Sequence, residues 1–265
     1  MMRIDLYRMT CLTNLHMGSG DVNYSVVDLQ VERDPVLGEP TMNSSGVKGA
    51  LRAFCEETPG ADAGEIVRIF GGGGNSAKGA YKFFSGDLLA RPVRVSRGDR
   101  AYVMATTPEL VNTFLRKLSA FGAAGALRAE ELPSLDNGMV CSAACREIEG
   151  LPAVKAEKSV PVLETLLGRK DWVLMDPLTL ANIDLPVTAH NVLENGESKN
   201  LWYEEVVPHE SVFLLMVGRP AEDAASGLDA FLFPNGESSA VVQFGAGAST
   251  GTGYMLLEKI VPGGA

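Results

Sequence analysis

The stretch TNLHMGSGDVNYSVVDLQVERDPVLGEPTMNSSGVKGALRAF, residues 13–54, concentrates the chemically useful side chains of the chain in a short span. His16 enters a glycine-serine-glycine turn at residues 18–20. Glycine in such a turn permits backbone angles and close approaches that other residues resist. Asp28 then follows two valines and precedes a leucine, which predicts a second strand that carries this carboxylate and continues through Val31.

The end of the same stretch predicts a helix that begins near Ser45. Asparagine and serine precede it as N-cap residues, and apolar residues recur at helical spacing as far as Phe54. Lys48 and Arg52 are four residues apart and lie together on one flank, near a helix start that attracts anions. This arrangement suits a phosphate chain, although the helix alone favours the alternative of a surface helix with two solvated cations.

Composition and charge limit the classes of protein that the chain can belong to. Its 265 residues are 46% hydrophobic, which is enough for one large domain or two small ones. The net charge of −10 argues against nonspecific nucleic-acid binding by the bare chain. Residues 1–100 hold 12 basic and 12 acidic residues, whereas residues 101–265 hold 11 and 21, so a local basic groove is compatible with the total.

The chain carries no sign of a membrane or an oxidising compartment. No apolar run approaches the length of a membrane span, and four cysteines without an obvious framework fit reduced thiols. We therefore expect a cytoplasmic protein without a membrane partner.

Residues 78–100 interleave six basic residues, Arg94 among them, with Tyr81 and two phenylalanines. Basic residues beside aromatic residues can hold a single-stranded backbone and stack its bases. The alternative, which the segment supports equally, places the apolar residues in the core and the arginines in water.

Two glycine-containing segments lie farther along the chain. Asn195-Gly196 between two β-compatible arms predicts a hairpin, which either projects or folds back onto its own core. Near the end, a loop with Gly247 and Gly251 separates two strands and offers backbone N–H groups to an anion or a polymer. The loop lacks the βαβ setting of a dinucleotide site, so a nucleotide-binding enzyme is a distant alternative.

The order and spacing of these motifs resemble the RAMP superfamily of CRISPR-associated proteins, and within it the repeated backbone subunit of type III-B effector complexes. The resemblance covers nearly the whole chain. Its motifs are HMGSG with the aspartate of VVD twelve residues after the histidine, SGVKGALRAF, IFG followed by FFSGDLLARPVR, LWYEEVVPHESVF, and GAGASTGTG.

The resemblance implies an α+β fold in a single domain over residues 1–265, built on an RRM-like (ferredoxin-like) antiparallel sheet called the palm. It also implies fingers inserted at approximately residues 58–106 and 123–160, and a thumb hairpin at 182–204. Copies of such subunits stack into a helical filament along a CRISPR guide RNA, together with other effector subunits that include a large polymerase-like one. Each thumb, through Val192 and Leu193, wedges into the guide-target duplex at a regular interval.

By the same resemblance, Asp28 matches the residue that cuts target single-stranded RNA and binds Mg²⁺ or another divalent cation. His16 and Glu205 are further catalytic candidates, although a structural role is favoured for His16. The matched RNA-binding residues are Ser45, Lys48, Arg52, Arg94, Gly247, Ser249 and Gly251.

Two alternatives within the superfamily stay open at this point. The chain could be a purely structural guide-RNA scaffold whose Asp28 is a strand-edge residue. It could also be a CRISPR RNA processing endonuclease that acts without metal, through His16.

Overall fold

The computed structural model describes residues 2–20, 26–72, 77–125, 127, 132–136, 138–223 and 225–261. Its strands are β1 Met2–Cys11, β2 Thr41–Met42, β3 Lys82–Gly98, β4 Tyr102–Thr106, β5 Met139–Cys141, β6 Cys145–Ile148, β7 Leu151–Lys155, β8 Trp172–Leu174, β9 Val187–Glu194, β10 Glu197–Glu205, β11 Val212–Pro220, β12 Ser239–Gln243 and β13 Tyr254–Ile260. Its helices are α1 Ser44–Glu57, α2 Ala63–Phe70, α3 Pro108–Ala120, α4 Pro161–Leu167, α5 Pro177–Ala181 and α6 Gly227–Leu232.

One large sheet organises the fold. Its strand order is β12-β13-β1-β11-β3-β4-β8-β5-β7-β6, and β2 pairs with β3. The half from β12 to β3 is antiparallel throughout, whereas β4–β8 and β5–β7 are parallel pairs. The mixed α and β class predicted from the sequence is confirmed, but the sheet as a whole is not purely antiparallel.

The central strand β11 is buried on both faces, because it separates two hydrophobic cores. Phe213, Leu215 and Val217 enter the core shared with α1 and α2, while Leu214 and Met216 enter the core shared with α3 and α4. This alternation follows from the two-residue period of a strand. A strand that is apolar on both faces reads as a continuous apolar run, and the sequence of β11 has that form.

The predicted helix near Ser45 is confirmed as α1. Asn43 is its N-cap and accepts a hydrogen bond from the backbone N–H of Ser45. Val47, Leu51 and Cys55 repeat every four residues and are buried against the sheet. Their burial fixes the orientation of the helix and leaves its N-terminus at the protein surface.

The hairpin predicted at Asn195-Gly196 is present as β9 and β10, which form a separate two-stranded sheet. Asn195 and Gly196 both have positive φ, 53° and 84°, as a two-residue hairpin turn requires. Val192 and Leu193 near the tip are 48% and 63% exposed. The hairpin therefore projects, and the alternative in which it folds back onto its own core is wrong.

The second strand predicted through Asp28 is wrong. Residues 26–31 form bends with isolated bridges, in which Leu29 pairs with Glu204 and Val31 with Gly18. Val26 is 87% exposed, so the apolar residues before the aspartate do not enter the core. The β-forming composition of this segment reflects single pairings along the hairpin edge rather than a ladder of hydrogen bonds.

The four cysteines are free and buried. Burial raises the pKa of the Cys55 and Cys141 thiols to about 12, so both stay protonated at neutral pH. Over the described ranges, no helix combines the length and apolar character needed to cross a bilayer.

Candidate functional site

Three segments that are distant in the sequence meet in an open groove of about 450 Å³, here called the glycine groove. It is lined by Met17, Gly18, Ser19, Gly20, Glu32, Met42, Asn43, Ser45, Gly46, Val47, Phe244, Gly245 and Ala246. The turn after His16, the start of α1 and the loop after β12 thus form its walls. The fold brings together three segments, each of which was predicted separately from the sequence as a candidate binding segment.

A close backbone contact joins two of these walls. The backbone N–H of Ala246 donates to the carbonyl oxygen of His16 at 3.0 Å. Gly245 has a φ of +72°, and a Cβ atom there would overlap the same carbonyl oxygen, so only glycine fits. Beyond this contact, Gly247 and Gly251 flank an exposed turn that includes Ser249.

The start of α1 gives the groove a positive character. Ser45 is exposed, and its hydroxyl donates to the Asn43 side chain at 2.9 Å. The first turn contains no acidic residue. The unpaired N–H groups of this 14-residue helix therefore act on the groove without a carboxylate in their own turn, and Glu32 is the one acidic side chain in the groove lining.

Lys48 and Arg52, which were predicted to act together, have different surroundings. The Arg52 guanidinium donates to Glu56 at 2.8 Å and to the carbonyl oxygen of Gly71 at 3.0 Å. Lys48 is half-buried and has no hydrogen bond or ion pair with the part of the chain that the structure describes. Lys48 is free to bind an anion, whereas Arg52 joins α1 to the end of α2.

Asp28 lies at the root of the hairpin, on the edge of β10 that does not pair with β9. Its backbone N–H donates to the Tyr203 carbonyl oxygen at 3.1 Å, and its Oδ2 accepts from the Tyr203 backbone N–H at 2.8 Å. Oδ1 has no hydrogen bond to the described residues. The side chain is exposed, so this oxygen can reach a ligand.

His16 is held on the same edge of β10. Its side chain is only 4% exposed, and Nδ1 lies 2.7 Å from the Glu205 carbonyl oxygen. A carbonyl oxygen only accepts, so we assign a proton to Nδ1. A Cβ atom on Gly18 would lie 3.2 Å from Nε2, which places Nε2 beside the wall of the glycine groove. Tyr203 and Glu205 are two residues apart, so the anchors of Asp28 and His16 are about 7 Å apart along β10.

Glu204 is a polar residue at this site that the sequence did not single out. Its carboxylate lies 3.5 Å from Nδ1 of His16 and 3.3 Å from Nε2 of His190. The His190 ring in turn stacks on Trp202, with 5.2 Å between ring centroids. The two-residue period of β10 puts Trp202 and Glu204 on one face, and that period was the signal available in the sequence.

Glu205, a catalytic candidate from the sequence, is engaged on both carboxylate oxygens. Oε2 accepts from the Val31 backbone N–H at 3.0 Å. Oε1 accepts from the Arg33 guanidinium at 2.5 Å. The carboxylate therefore ties the segment after Asp28 to the root of the hairpin.

Arg94 does not line the glycine groove. Its side chain is 87% exposed and lies 3.5 Å from Glu149. It borders a separate cleft of about 780 Å³ between β3 and the base of the hairpin, lined also by Tyr102 and His209. The fold thus separates Arg94 from the other predicted RNA-binding residues.

The expected divalent cation finds few protein ligands here. Among the described residues, no group of three or more histidine, cysteine, aspartate or glutamate side chains is arranged to hold a metal ion. Asp28 offers one oxygen that no described residue contacts, whereas Mg²⁺ takes six oxygen ligands and keeps several waters. The donor set fits a cation that shares its shell with water and RNA, and it does not fit an all-protein metal site.

Comparison with known proteins identifies the family. The model of the RAMP superfamily matches residues 8–256, and the chain therefore belongs to the RAMP superfamily. The superfamily resemblance found in the sequence motifs is confirmed.

Individual relatives extend the comparison. The CRISPR system Cmr endoribonuclease Cmr4 of Pyrococcus furiosus is 27% identical over 253 residues, which cover 84% of each chain. A chain of the type III-B Cmr-beta complex in the apo state has a TM-score of 0.78 at 19% identity, with 97% of each chain covered. A chain of Cmr-beta bound to cognate target RNA has a TM-score of 0.73 at 17% identity and the same coverage. Oligomeric Cmr4 from Pyrococcus furiosus has a TM-score of 0.70 at 19% identity, with 98% of this chain and 100% of that chain covered. These structures show that the fold is shared.

Proposed function

We propose that the chain is a backbone subunit of a cytoplasmic type III-B CRISPR effector complex, and that it cleaves complementary single-stranded target RNA at regular intervals. The relative of known activity is a Cmr endoribonuclease, and the structural relatives include a complex bound to target RNA and an oligomer. Its partners would be guide RNA, target RNA, further copies of itself and other effector subunits, including a large polymerase-like one.

In this proposal the antiparallel strands β12, β13, β1 and β11 belong to the RRM-like palm. Residues 58–106 and 123–160 would contain the fingers, and residues 182–204 the thumb. The glycine groove would hold the guide backbone through the start of α1, Lys48 and the loop at residues 247–251. The exposed apolar residues Val192 and Leu193 would wedge between stacked bases.

One observation carries the assignment of cleavage: Tyr203 fixes Asp28 at the root of the exposed hairpin, at 2.8 Å, and the second oxygen of Asp28 has no hydrogen bond to any residue that the structure describes. A duplex that is opened by the hairpin would present its displaced nucleotide near this oxygen. Asp28 would orient the ribose 2′-hydroxyl for in-line attack on the adjacent phosphorus. The 2′-hydroxyl would lose its proton to water, the bond from phosphorus to the 5′-oxygen would break, and the 5′-oxygen would take a proton from water, which gives a 2′,3′-cyclic phosphate and a 5′-hydroxyl. A divalent cation held by Asp28, water and RNA would offset charge on the scissile phosphate.

A specific contact supports a second candidate, a structural scaffold without nuclease activity. The Asp28 carboxylate already caps a backbone N–H of β10, which is the role of a strand-edge residue. The two candidates differ in whether the charge of Asp28 matters.

Asp28→Asn separates them, because its amide oxygen can still accept from the Tyr203 N–H while the charge is lost. In a reconstituted complex with Mg²⁺, we expect this variant to lose target cleavage by at least about 100-fold with target affinity unchanged. Gel analysis of end-labelled target RNA measures both the spacing of the products and the cyclic phosphate. Chelation of the metal should also stop cleavage.

Asp99→Asn is the matched control, because Asp99 is an exposed aspartate in the turn between β3 and β4. Absence of regularly spaced products from the wild-type complex would establish the scaffold, whereas undiminished cutting by Asp28→Asn would show that Asp28 is not the cleaving residue. Cleavage of repeat RNA that survives chelation would point instead to guide processing.

A further inference from the structure

The segment that carries Asp28 depends on Glu205 for its register. The Glu205 backbone N–H donates to Leu29 at 2.8 Å, and its side chain accepts from Val31 at 3.0 Å. Glu205 therefore holds Leu29 with its backbone and Val31 with its side chain, immediately after Asp28. A change at Glu205 would shift the carboxylate of Asp28 relative to the hairpin.

Arg33 fixes the carboxylate of Glu205 in turn. Its guanidinium donates to Oε1 at 2.5 Å and to the Gly38 carbonyl oxygen at 3.3 Å. The Glu205 side chain is only 13% exposed, while that of Arg33 is 41% exposed. The arginine thus partly neutralises a nearly buried acid and holds it in the rotamer that reaches Val31.

We propose that Arg33 and Glu205 form a positioning pair that sets the place of Asp28 on the hairpin root, and that Glu205 transfers no proton itself. Both Glu205 oxygens are bonded to the fold, so proton transfer through either one would break a contact that positions Asp28. The inference rests on the proposed cleavage by Asp28. It adds Arg33, which no sequence motif marked, to the groups on which the reaction depends.

The positioning pair predicts how the cleavage rates of the single and double variants compare with one another. In the assembled complex, we expect Arg33→Gln and Glu205→Gln each to slow single-turnover cleavage roughly ten- to a hundredfold, because a small misplacement of a reacting group has effects of that size. Target affinity should not change. The double variant should be no slower than either single variant, since both changes break the same contact. Arg33→Lys should recover most of the rate.

A direct catalytic role for Glu205 would give a different pattern. The Glu205→Gln loss would then multiply the Arg33→Gln loss, and the pH dependence of the cleavage rate would lose one limb. Either result would overturn the proposal.

Arg100→Gln is the matched control, because Arg100 is similarly exposed, at 47%, and pairs with Asp171 in another part of the fold. Amide hydrogen exchange over residues 26–33 provides a second readout, which should rise in Arg33→Gln and not in Arg100→Gln. Faster exchange with an unchanged cleavage rate, or no change in either, would contradict the positioning role.

Failure of the proposed function would be seen separately. If the wild-type complex does not cut, or if Asp28→Asn cuts normally, the assignment of Asp28 is wrong and the positioning role falls with it. Loss of cutting in Asp28→Asn together with full activity of Arg33→Gln would overturn only the positioning role.

Discussion

At the residue scale, two cations on one helix differ in what they can bind. Arg52 is held by Glu56 and by a carbonyl oxygen at the end of α2, whereas Lys48 has no such contact in the described part of the chain. The spacing of four residues correctly placed both on one flank. The spacing could not show that Arg52 already donates a hydrogen bond to the end of α2. We therefore expect Lys48 to carry the larger share of guide binding.

Lys48→Gln should weaken guide RNA binding and reduce the slope of log affinity against log salt by about 0.7, the value for one phosphate contact on a single strand. Arg52→Gln should leave that slope nearly unchanged. It should instead lower the free energy of unfolding by about 1 kcal/mol, because the contacts between α1 and α2 are lost. Fluorescence anisotropy at several salt concentrations and urea titration measure the two effects. An equal reduction of the salt slope in both variants would show that Lys48 and Arg52 bind guide RNA together, as the sequence predicted.

At the element scale, the hairpin of β9 and β10 exposes apolar side chains that its own folding does not need. Its two strands place Val187, Val192, Leu193, Leu201 and Tyr203 at the surface, each at least 38% exposed. Such residues contribute little to folding, and an exposed apolar group of this kind marks a contact surface. The exposed apolar residues of the hairpin are therefore better explained by contact with a binding partner than by packing in the core.

Replacement of Val192 and Leu193 by serine should leave the melting temperature of the chain unchanged, because both side chains are exposed. The assembled complex should cut target RNA about tenfold more slowly, because the proposed wedge into the duplex would be weakened. Differential scanning calorimetry and single-turnover assays test the two statements. Leu178→Ser is the control, because Leu178 is 76% exposed on α5, outside the hairpin. A slower rate in that control would show that the loss is not specific to the hairpin.

At the scale of the whole molecule, the net charge of −10 conflicts with RNA binding by a single copy. The positive groups near the glycine groove are the start of α1, which lines it, and Lys48 farther along the same helix, and both are local features. Long-range repulsion from the acidic remainder acts against them. Repetition of the groove along a filament would resolve the conflict, because successive subunits bind an RNA that is already held.

The isolated chain should therefore bind single-stranded RNA at least about a hundredfold more weakly than the assembled filament, in line with the usual gain from linked sites. Anisotropy titrations at one fixed salt concentration, with chain alone and with assembled complex, test this statement. Equal affinities would show that a single copy is sufficient and that the filament adds no binding.

Local patterns in the sequence were sufficient for several elements. The start of α1 was predicted correctly, because its capping residues and its helical spacing act within one or two turns. The strands on either side of the last glycine loop and the Asn195-Gly196 turn were also predicted correctly. The strand through Asp28 was not, because its β-forming residues pair at single positions along an edge.

The sequence by itself determined the superfamily and the class of fold, through the order and spacing of motifs over nearly the whole chain. It also determined the start of α1 and the position of the hairpin turn, which depend on residues close together in the chain. Only the tertiary structure brought the three walls of the glycine groove together. The tertiary structure also places His16 and Asp28 along one edge of β10. In it, both carboxylate oxygens of Glu205 accept hydrogen bonds, and Arg94 lies at a different cleft. Those relations join residues as many as 230 positions apart, as His16 and Ala246 are. Contacts at such separations depend on how the sheet and its helices pack, which no local pattern specifies.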